Sequence, residues 1–435
     1  MPTVYVVGLE PFNLGLLEKI PGADDIVIRE LLSAGEAVEV PPGFRFHDLI
    51  ALSEKRLGDG ASPDAILNYW DFPGSCLAPL LCLRNGLPGP RLDAVAAFEH
   101  KYWARQEMAA CVPEATPKVC YVDPFAEEPA SEISLPYPYW IKPIIGHSSF
   151  LGFRVEDEDD LHVAISAIRK HIGHFGNPFD EFMEFVQAPP EVAKVGGCHC
   201  IVEEIISADA QVTLEGYVWE GRVVTYGHID SVRESQSHSS FSRYVYPSQL
   251  PSGVLKRMED VIARLLTHVG YDNAPFNAEF FWDAGSDRIS LLEVNTRISK
   301  SHCPLFQDVD GASHQKVALD LALGREPDFP GRNGQWPMAA KFMVRLFQDG
   351  EITRTPSAPE IHLMQSRYPE ALVQILVKQG QRLSHLSFQD SYSFEIADIF
   401  VGGRSDSELL HKHSDIMELL HFEVGLTAPV NDEVH

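Results

Sequence analysis

Residues 291–302 read LLEVNTRISKSH, a stretch in which polar side chains occupy alternate positions after two leucines. Glu293, Asn295 and Arg297 are each two residues apart. Residues at that spacing in a β-strand point to the same face. The simplest interpretation is an edge strand with one solvated face. Whether the face carries chemistry depends on residues elsewhere in the chain.

A further acid lies on the strand expected just before this one. Glu279 occurs in FNAEFFW, and only the short turn DAGSD at 283–287 separates the two strands. They must therefore pair antiparallel, which brings Glu279 opposite the Glu293 region. Two carboxylates this close repel each other unless a cation lies between them, and Mg²⁺ prefers oxygen ligands. Glu279, Glu293 and Asn295 are thus predicted to hold Mg²⁺, with Arg297 beside an oxyanion or transferred phosphate.

The composition is that of an acidic globular protein. The chain has 435 residues, more than one hydrophobic core usually serves, so two to four lobes are expected. The formal charge is −27, from 62 acids against 35 Lys plus Arg, and no basic face for nucleic acid is visible. The N-terminal stretch does not resemble a signal peptide, and no apolar run of about 18 residues could span a membrane. We expect a cytoplasmic protein with neither nucleic-acid nor membrane partners.

Three features of the sequence carry no prediction of a site. The cysteine count is seven, and an odd number in a long chain does not suggest a disulfide framework. Cys198-His199-Cys200 lacks a second Cys or His pair at zinc-finger spacing, so structural zinc is not expected. Gly8 and Gly15 do not form the G-x-G-x-x-G dinucleotide fingerprint.

The order of strand and helix patterns predicts several lobes. Strand and helix patterns alternate over roughly residues 1–95, which indicates a small parallel α/β unit. A single long amphipathic helix is predicted over 92–112, and the residues from about 328 onward are strand-rich and close with a short helix. The predicted domains are 1–97 (N-terminal α/β), 98–206 (nucleotide lid), 207–327 (catalytic, with the Mg²⁺ site) and 328–435 (C-terminal lobe).

The sequence resembles the ATP-grasp superfamily in the order of its charged motifs, from residue 86 to about residue 327. Lys101 lies on a helix, and Lys142 precedes the Gly-Ser loop at 146–149. A Val-Glu-Glu hinge follows at 202–204, and then the E…E-x-N-x-R element. The resemblance implies an α+β and α/β multi-lobe fold, in which ATP lies between two α+β subdomains. A small parallel α/β domain precedes them and a strand-rich lobe follows.

The resemblance also implies roles for individual residues. The residues implied to contact ATP are Lys101, Lys142, Ser148, Ser149, Glu203, Glu204, Ile206 and, for the ribose, Asp209. Glu279, Glu293 and Asn295 would hold one or two Mg²⁺ ions, for which Mn²⁺ could substitute. Arg297 would stabilise an acyl phosphate and its tetrahedral successor.

A polar loop at 230–248 is the kind of segment that closes over phosphates. It carries Arg233 and Arg243, and either could contact the γ-phosphate or a substrate carboxylate; a purely solvated loop is the alternative. Glu215 faces the same region as a candidate contact for an amine. His302, beside the motif, is a candidate substrate contact or a structural histidine.

The predicted activity is that of an ATP- and Mg²⁺-dependent ligase that joins a carboxylate to an amine through an acyl phosphate. The resemblance points to the dipeptide-ligase or biotin-carboxylase-like branch, in which homodimers are common. One alternative is carboxylation through carboxyphosphate, although no Met-Lys-Met biotin attachment site occurs in the chain. The other is an ATP-binding sensor without turnover.

Overall fold

The computed structural model describes most of the chain and divides it into two compact units. The described residues are 1–147, 150–206, 208–233, 240–386, 389 and 393–426. The first unit comprises Met1–His228, Leu250–Lys300 and His314–Phe329. The second comprises Ile229–Gln249, Ser301–Ser313 and Pro330–His435. The division into four predicted domains remains a prediction.

The N-terminal part of the first unit is the small parallel α/β region that the sequence predicts. Its strands are β1 (Thr3–Leu9), β2 (Val27–Ser33) and β3 (Ala65–Leu67), and its helices are α1 (Pro11–Leu17), α2 (Ala34–Ala37), α3 (Phe46–Asp59) and α4 (Gly74–Asn85). The strands are parallel in the order β2-β1-β3. Because β1 is central, nearly all of its side chains are buried, as its apolar sequence requires.

The prediction of a single helix over residues 92–112 is wrong. The segment forms two helices, α5 (Leu92–Glu99) and α6 (Lys101–Cys111). His100 separates them: its Nδ1 accepts from the Trp103 N–H at 3.2 Å, and its Nε2 lies 2.8 Å from the Val195 carbonyl. The Lys101 N–H donates to the Ile144 carbonyl at 3.1 Å instead of continuing α5. The break comes from residues distant in sequence, since no Gly or Pro interrupts the pattern.

A second sheet of the first unit carries the predicted Lys142 strand and the Val-Glu-Glu strand. Its strands are β4 (Val119–Val122), β5 (Tyr139–Pro143), β6 (Phe153–Val155) and β7 (Cys200–Glu204), accompanied by α7 (Glu158–His171) and α8 (Gly173–Met183). The strands are antiparallel in the order β4-β7-β5-β6. Helix α7 begins with acids and ends with basic residues, and this arrangement complements the helix dipole.

The next elements are β8 (Ala210–Trp219), β9 (Arg222–Arg233), β10 (Phe241–Tyr246), α9 (Ser252–Val269), β11 (Ala274–Asp283) and β12 (Arg288–Asn295). The hairpin turn predicted at 283–287 is confirmed, since it joins β11 to β12. At the β8–β9 turn, Glu220 and Gly221 both have positive φ, 49° and 76°, a backbone that suits the twist of a tight hairpin. Strand β9 begins in the first unit, and its residues from Ile229 onward belong to the second.

In the first unit, β12, β11 and β8 form an antiparallel sheet with two contrasting faces. One face buries apolar side chains such as Val212, Leu214, Phe276 and Phe280 in the same core as the inward residues of α9. The other face carries the polar residues of the predicted site. Covering one face with α9 therefore leaves the opposite face for chemistry.

The remaining elements are α10 (Cys303–Asp310), α11 (Gln315–Ala322), β13 (Met338–Leu346), β14 (Gly350–Arg354), α12 (Ala358–Arg367), β15 (Leu372–Ile375), β16 (Phe394–Gly403), α13 (Asp406–Leu419) and β17 (Glu423–Leu426). Helix α11 belongs to the first unit. In the second unit, β10, β13, β16 and β15 pair antiparallel in that order, and β14 pairs with β17. The strand-rich C-terminal prediction is confirmed, but β17, not a helix, is its last described element.

All seven cysteines lie among the described residues, and none forms a disulfide. Within the described ranges, no helix combines the length and apolar character needed to cross a bilayer.

Candidate active site in the first unit

Two carboxylates face each other across the sheet of the first unit. Glu279 on β11 pairs directly with Glu293 on β12, as the short turn predicts, and with Thr213 on β8. Gln211, two residues before Thr213, donates its amide N–H to Glu279 Oε2 at 2.9 Å. Like charges directly opposite each other on a sheet are destabilising unless something compensates them. The pair is therefore a candidate cation site.

A second polar row lies two residues along the same strands. Asn277 on β11 pairs with Asn295 on β12 and with Glu215 on β8. The Asn295 Nδ2 group donates to Asn277 Oδ1 at 3.0 Å, and the Asn277 Nδ2 group donates to Glu215 Oε1 at 2.7 Å. The Ser299 N–H also donates to Glu215 Oε1, at 3.2 Å. Glu215 has no exposed surface, and its candidate contact with an amine remains a prediction.

Glu203 joins the strand of Lys142 to α6 through buried ion pairs. Its carboxylate lies 2.7 Å from Lys142 Nζ and 2.5 Å from Arg105 Nε. Arg105 also donates to the Leu292 carbonyl at 2.5 Å, at the irregularity in β12 next to Glu293. Burial alone would raise the pKa of the Glu203 carboxyl, but the charges of Arg105 and Lys142 outweigh it and lower the pKa to about 2. The Glu203 side chain thus anchors Lys142.

Arg297 is held by an acid from the N-terminal region. Its Nε and Nη2 atoms lie 2.8 and 2.5 Å from Asp71 Oδ1, and Asp71 follows β3. Burial would raise the pKa of the Asp71 carboxyl, but Arg297 lowers it below its ordinary value. The adjacent Thr296 donates its hydroxyl to Glu99 at 2.9 Å, and burial raises the pKa of that carboxyl. The two hydrogen bonds to Asp71 therefore fix the orientation of the Arg297 guanidinium.

Lys101 shares an electrostatic environment with the predicted metal and phosphate residues. Its Nζ donates to the Gly146 carbonyl at 2.6 Å, at the start of the predicted phosphate loop. Burial lowers the pKa of Lys101, the charge of Glu293 opposes that shift, and the charge of Lys142 adds to it. That the two lysines and Glu293 form one site remains a prediction.

A cavity of about 200 Å³ lies beside the Val-Glu-Glu hinge. It is lined by Glu204, Ile205, Ile206, Phe281, Asp283, Ser286, Arg288 and Ser290. Successive strand residues point to opposite faces, so Glu204 lines this cavity while Glu203 points into the protein. The Glu204 carboxylate accepts from the Lys118 N–H at 3.1 Å and lies 3.4 Å from Arg288. Of the three predicted adenine contacts, Glu204 and Ile206 border this cavity and Glu203 is not among its lining residues, so the predicted main-chain contact of Glu203 stays a prediction.

The other predicted nucleotide residues have different positions. Asp209 accepts from the Ala284 N–H at 2.8 Å and supports the β11–β12 turn. Its predicted ribose contact stays a prediction. Ser148 and Ser149 lie outside the described residues.

Arg233, Arg243 and His302 belong to the second unit. The Arg233 guanidinium lies 5.0 Å from the centre of the Phe241 ring, and Arg243 Nη2 lies 3.3 Å from Asp406. His302 is buried and packs edge-on against Tyr244, with ring centres 5.0 Å apart. Their predicted contacts with phosphate or substrate remain predictions.

The oxygen donors of the first unit fit Mg²⁺ in chemistry and number. Glu279 and Glu293 supply carboxylates and Asn295 supplies an amide oxygen, the ligand types that Mg²⁺ prefers. Within the described ranges, no group of three or more His, Cys, Asp or Glu side chains is placed to hold a metal ion. An ion at this site would therefore depend on the Asn295 amide and on oxygens from phosphate or water.

Sequence reasoning missed several residues of this site. Asn277 precedes Glu279 by two residues, so the same-face spacing that identified the acids could have found it. Gln211 and Glu279 lie on different strands, and their contact requires the pairing of β8 with β11. Asp71 and Arg105 carry no local signal, because their partners are distant in sequence.

Comparisons with known proteins give a domain family and a fold. A family model described as an ATP-grasp domain matches residues 135–303. Urea amidolyase of Saccharomyces cerevisiae is 20% identical over 331 residues, which are 76% of this chain and 16% of that protein. Biotin carboxylase 1 of Bacillus subtilis is 25% identical over 241 residues, 55% of this chain and 48% of that one. The chain thus matches less than half the length of both curated relatives.

The whole chain also resembles solved structures. An L-amino acid ligase from Bacillus licheniformis has a TM-score of 0.70 and 14% sequence identity, and the match covers 97% of this chain and 98% of that chain. A structural match at 14% identity is evidence for a shared fold only. This shared fold extends over 97% of the chain.

Proposed function

Because the chain contains an ATP-grasp domain and has the ATP-grasp fold along nearly its whole length, we propose that it is an ATP- and Mg²⁺-dependent ligase joining a carboxylate to an amine. Amino acids or similar small molecules are the proposed substrates, and ADP and phosphate the proposed by-products. The ATP-grasp domain is established by the comparisons; the ligase activity and its substrates are our proposal.

The observation that carries this proposal is the facing pair Glu279 and Glu293, together with the partly buried cations Lys101 and Arg297. A sheet face that opposes two carboxylates is poorly suited to stability alone. Burial lowers the pKa of Lys101 and the charge of Glu293 opposes that shift; the pKa of Arg297 is raised despite burial, mainly by Asp71 and in part by Glu279. This combination suits a polyphosphate that binds together with a divalent cation.

Each residue has a defined task in the proposed reaction. Lys101 and Lys142 bind ATP phosphates, and the cavity beside Glu204 and Ile206 receives the adenine. Bound Mg²⁺ would supply charge neutralisation between the phosphates and the carboxylates of the site. Arg297, fixed by Asp71, stabilises negative charge on the reacting acyl group.

The proposed chemistry has two displacements. A substrate carboxylate oxygen attacks the γ-phosphorus of ATP, the bond to the bridging oxygen breaks, and ADP leaves with the electron pair. The amine then attacks the acyl carbon, phosphate leaves, and the nitrogen loses a proton. Positioning and charge neutralisation dominate such phosphoryl transfer, so no Ser/His/Asp triad or nucleophilic cysteine is required.

Similarity to biotin carboxylase 1 favours a second candidate, carboxylation through carboxyphosphate. Bicarbonate would then take the place of the substrate carboxylate, and the acceptor would be a nitrogen of a different molecule. The fold match covers nearly the whole chain for both an L-amino acid ligase and a biotin carboxylase, and the ligase is put first because its TM-score is higher, 0.70 against 0.62.

A screen of amino-acid pairs tests the proposal. Purified protein is incubated with ATP, Mg²⁺ and pairs of amino acids, and phosphate release and product mass are measured. A pair-dependent product with stoichiometric phosphate supports the ligase. Phosphate release that requires bicarbonate and no amino-acid pair supports the carboxylase, and ATP binding without turnover under any condition supports a nucleotide sensor.

Glu293→Gln provides the negative control for this screen. The change keeps the shape of the side chain but removes one proposed metal ligand, so phosphate release should be abolished while the protein remains folded. Glu220→Gln is the matched control, since Glu220 is exposed at the β8–β9 turn of the same sheet region. Equal turnover in the Glu293→Gln variant and the wild type would contradict the metal assignment.

A further inference from the structure

The second polar row forms a chain of hydrogen bonds with a definite direction. Asn295 donates to Asn277, and Asn277 donates to Glu215, at 3.0 and 2.7 Å. An amide has a donor end and an acceptor end, whereas an ionised carboxylate only accepts. A carboxylate at one end of the row therefore selects the orientation of both amides. Within the part of the chain that the structure describes, the side-chain oxygen of Asn295, Oδ1, accepts no hydrogen bond, and this side chain instead donates one from its Nδ2.

The acceptor at the end of this chain is itself fixed. Glu215 Oε1 receives both the Asn277 amide and the Ser299 N–H, and the side chain is completely buried. Burial raises the pKa of the Glu215 carboxyl, although nearby His314 opposes the shift. In a neutral carboxyl the proton would occupy Oε2, because Oε1 already accepts two hydrogen bonds. Oε1 remains an acceptor in either protonation state.

From this geometry we infer that Glu215 is a positioning residue that turns the side-chain oxygen of Asn295, Oδ1, toward the cation held by Glu279 and Glu293. The inference rests on the proposed function, which supplies that cation. In the reverse orientation, Asn295 would present its NH₂ group to a divalent ion, and an NH₂ group is not a ligand. Asn277 transmits the orientation, so Glu215 acts without contacting the ion.

The proposal distinguishes the acceptor oxygen of Glu215 from its charge. Glu215→Leu removes the acceptor, which leaves Asn277 free to rotate. Glu215→Gln removes the charge but keeps an oxygen for both hydrogen bonds. Partners that orient metal ligands typically contribute 10- to 100-fold in metal affinity. We expect Glu215→Leu to weaken binding about 10-fold or more and Glu215→Gln to change it less than about 3-fold.

Binding of Mn²⁺ gives a readout that does not depend on turnover. Mn²⁺ replaces Mg²⁺ at oxygen-ligand sites, and its electron paramagnetic resonance spectrum reports the unbound ion directly. Full-length protein saturated with ADP is titrated with Mn²⁺, and the dissociation constants of wild type and variants are compared. Nucleotide affinity without divalent ions is measured in parallel and should be similar in all variants.

Asp310→Leu is the matched control for loss of a buried acceptor. Asp310 is as deeply buried and also accepts two hydrogen bonds, from the Tyr246 hydroxyl and the Arg332 N–H, both at 2.8 Å. It belongs to the second unit, so its loss should lower stability without affecting Mn²⁺ binding. If Glu215→Leu does not fold, Asn277→Leu interrupts the same chain and should weaken Mn²⁺ binding similarly.

The outcomes separate this inference from the proposed function. Tight Mn²⁺ binding by Glu215→Leu, or equal losses in Glu215→Leu and Glu215→Gln, overturns the positioning role while leaving the metal site intact. Absence of Mn²⁺ binding by the wild type overturns the proposed function itself. Weak binding by Glu215→Leu with near-normal binding by Glu215→Gln supports the inference.

Discussion

Replacing Glu203 with Gln should destabilise the first unit by about 3 kcal/mol at pH 7. The carboxylate is buried between two cations, Lys142 at 2.7 Å and Arg105 at 2.5 Å. Its pKa falls from an ordinary 4.5 to about 2. At about 1.4 kcal/mol per pKa unit, this shift corresponds to about 3 kcal/mol of stabilisation. The cost of removing one partner from a buried ion pair, about 3–5 kcal/mol, gives a similar figure.

The pH dependence of this contribution has a definite sign. The folded-state pKa of Glu203 lies below the unfolded value, so the folded protein binds fewer protons between about pH 4.5 and pH 2. The stabilisation is complete above about pH 4.5 and is lost as the pH falls toward 2. The difference in unfolding free energy between wild type and Glu203→Gln should shrink over that range.

Urea unfolding followed by tryptophan fluorescence is a suitable assay. Five of the six tryptophans lie in the first unit, at positions 70, 103, 140, 219 and 282, so the signal reports mainly on the unit that contains Glu203. Glu204→Gln is the matched control. Glu204 is the neighbour of Glu203 on β7, and its side chain is 28% exposed and has one long ion pair. The loss of unfolding free energy in Glu204→Gln should therefore stay below about 1 kcal/mol. Equal losses in the two variants would refute the ion-pair reasoning.

Three further predictions address the site and its supports. A lysine at position 297 cannot reproduce both guanidinium contacts with Asp71. In Arg297→Lys, kcat should therefore fall at least about tenfold with little change in KM for ATP. An unchanged kcat would argue against a role of Arg297 in stabilising the reacting acyl group. Lys142→Ala should weaken ATP binding by calorimetry about 10- to 100-fold, more than it raises substrate KM, and equal effects would exclude a phosphate role. Burial lowers the pKa of His100 from 6.5 to about 4, so stability should decline by about 3 kcal/mol as the pH falls from 6.5 to 4. His100→Asn, which keeps a helix-capping side chain, should flatten that decline in urea titrations; an unchanged pH profile would contradict the assignment.

The sequence predicts the centre of the site well because its geometry is local. Glu279 and Glu293 are joined by a turn of a few residues, and an antiparallel hairpin with a short turn allows few registers. The same reasoning places Asn295 on the shared face. Polar residues on one face of β12 alternate with apolar residues on the other, and this alternation can be seen in the amino-acid sequence.

The supports of the site could not be predicted because their partners are distant in sequence. Arg105 reaches Glu203 and the Leu292 carbonyl across 98 and 187 residues. The break before Lys101 depends on the Ile144 carbonyl, which competes for its N–H only in the folded protein. Helical periodicity persists through this break, so tertiary contacts override a local pattern that is itself correct.

The division of the second unit among separate chain segments has a consequence for its synthesis. Strand β10 ends at Tyr246, but its neighbour β13 begins only at Met338. At about 5–20 residues per second, the ribosome needs roughly 5–20 s to supply that neighbour. During this interval the nascent strand presents unsatisfied backbone groups along one side, an opening for mispairing with other chains. Ribosome-associated chaperones would have their greatest effect on yield within that window.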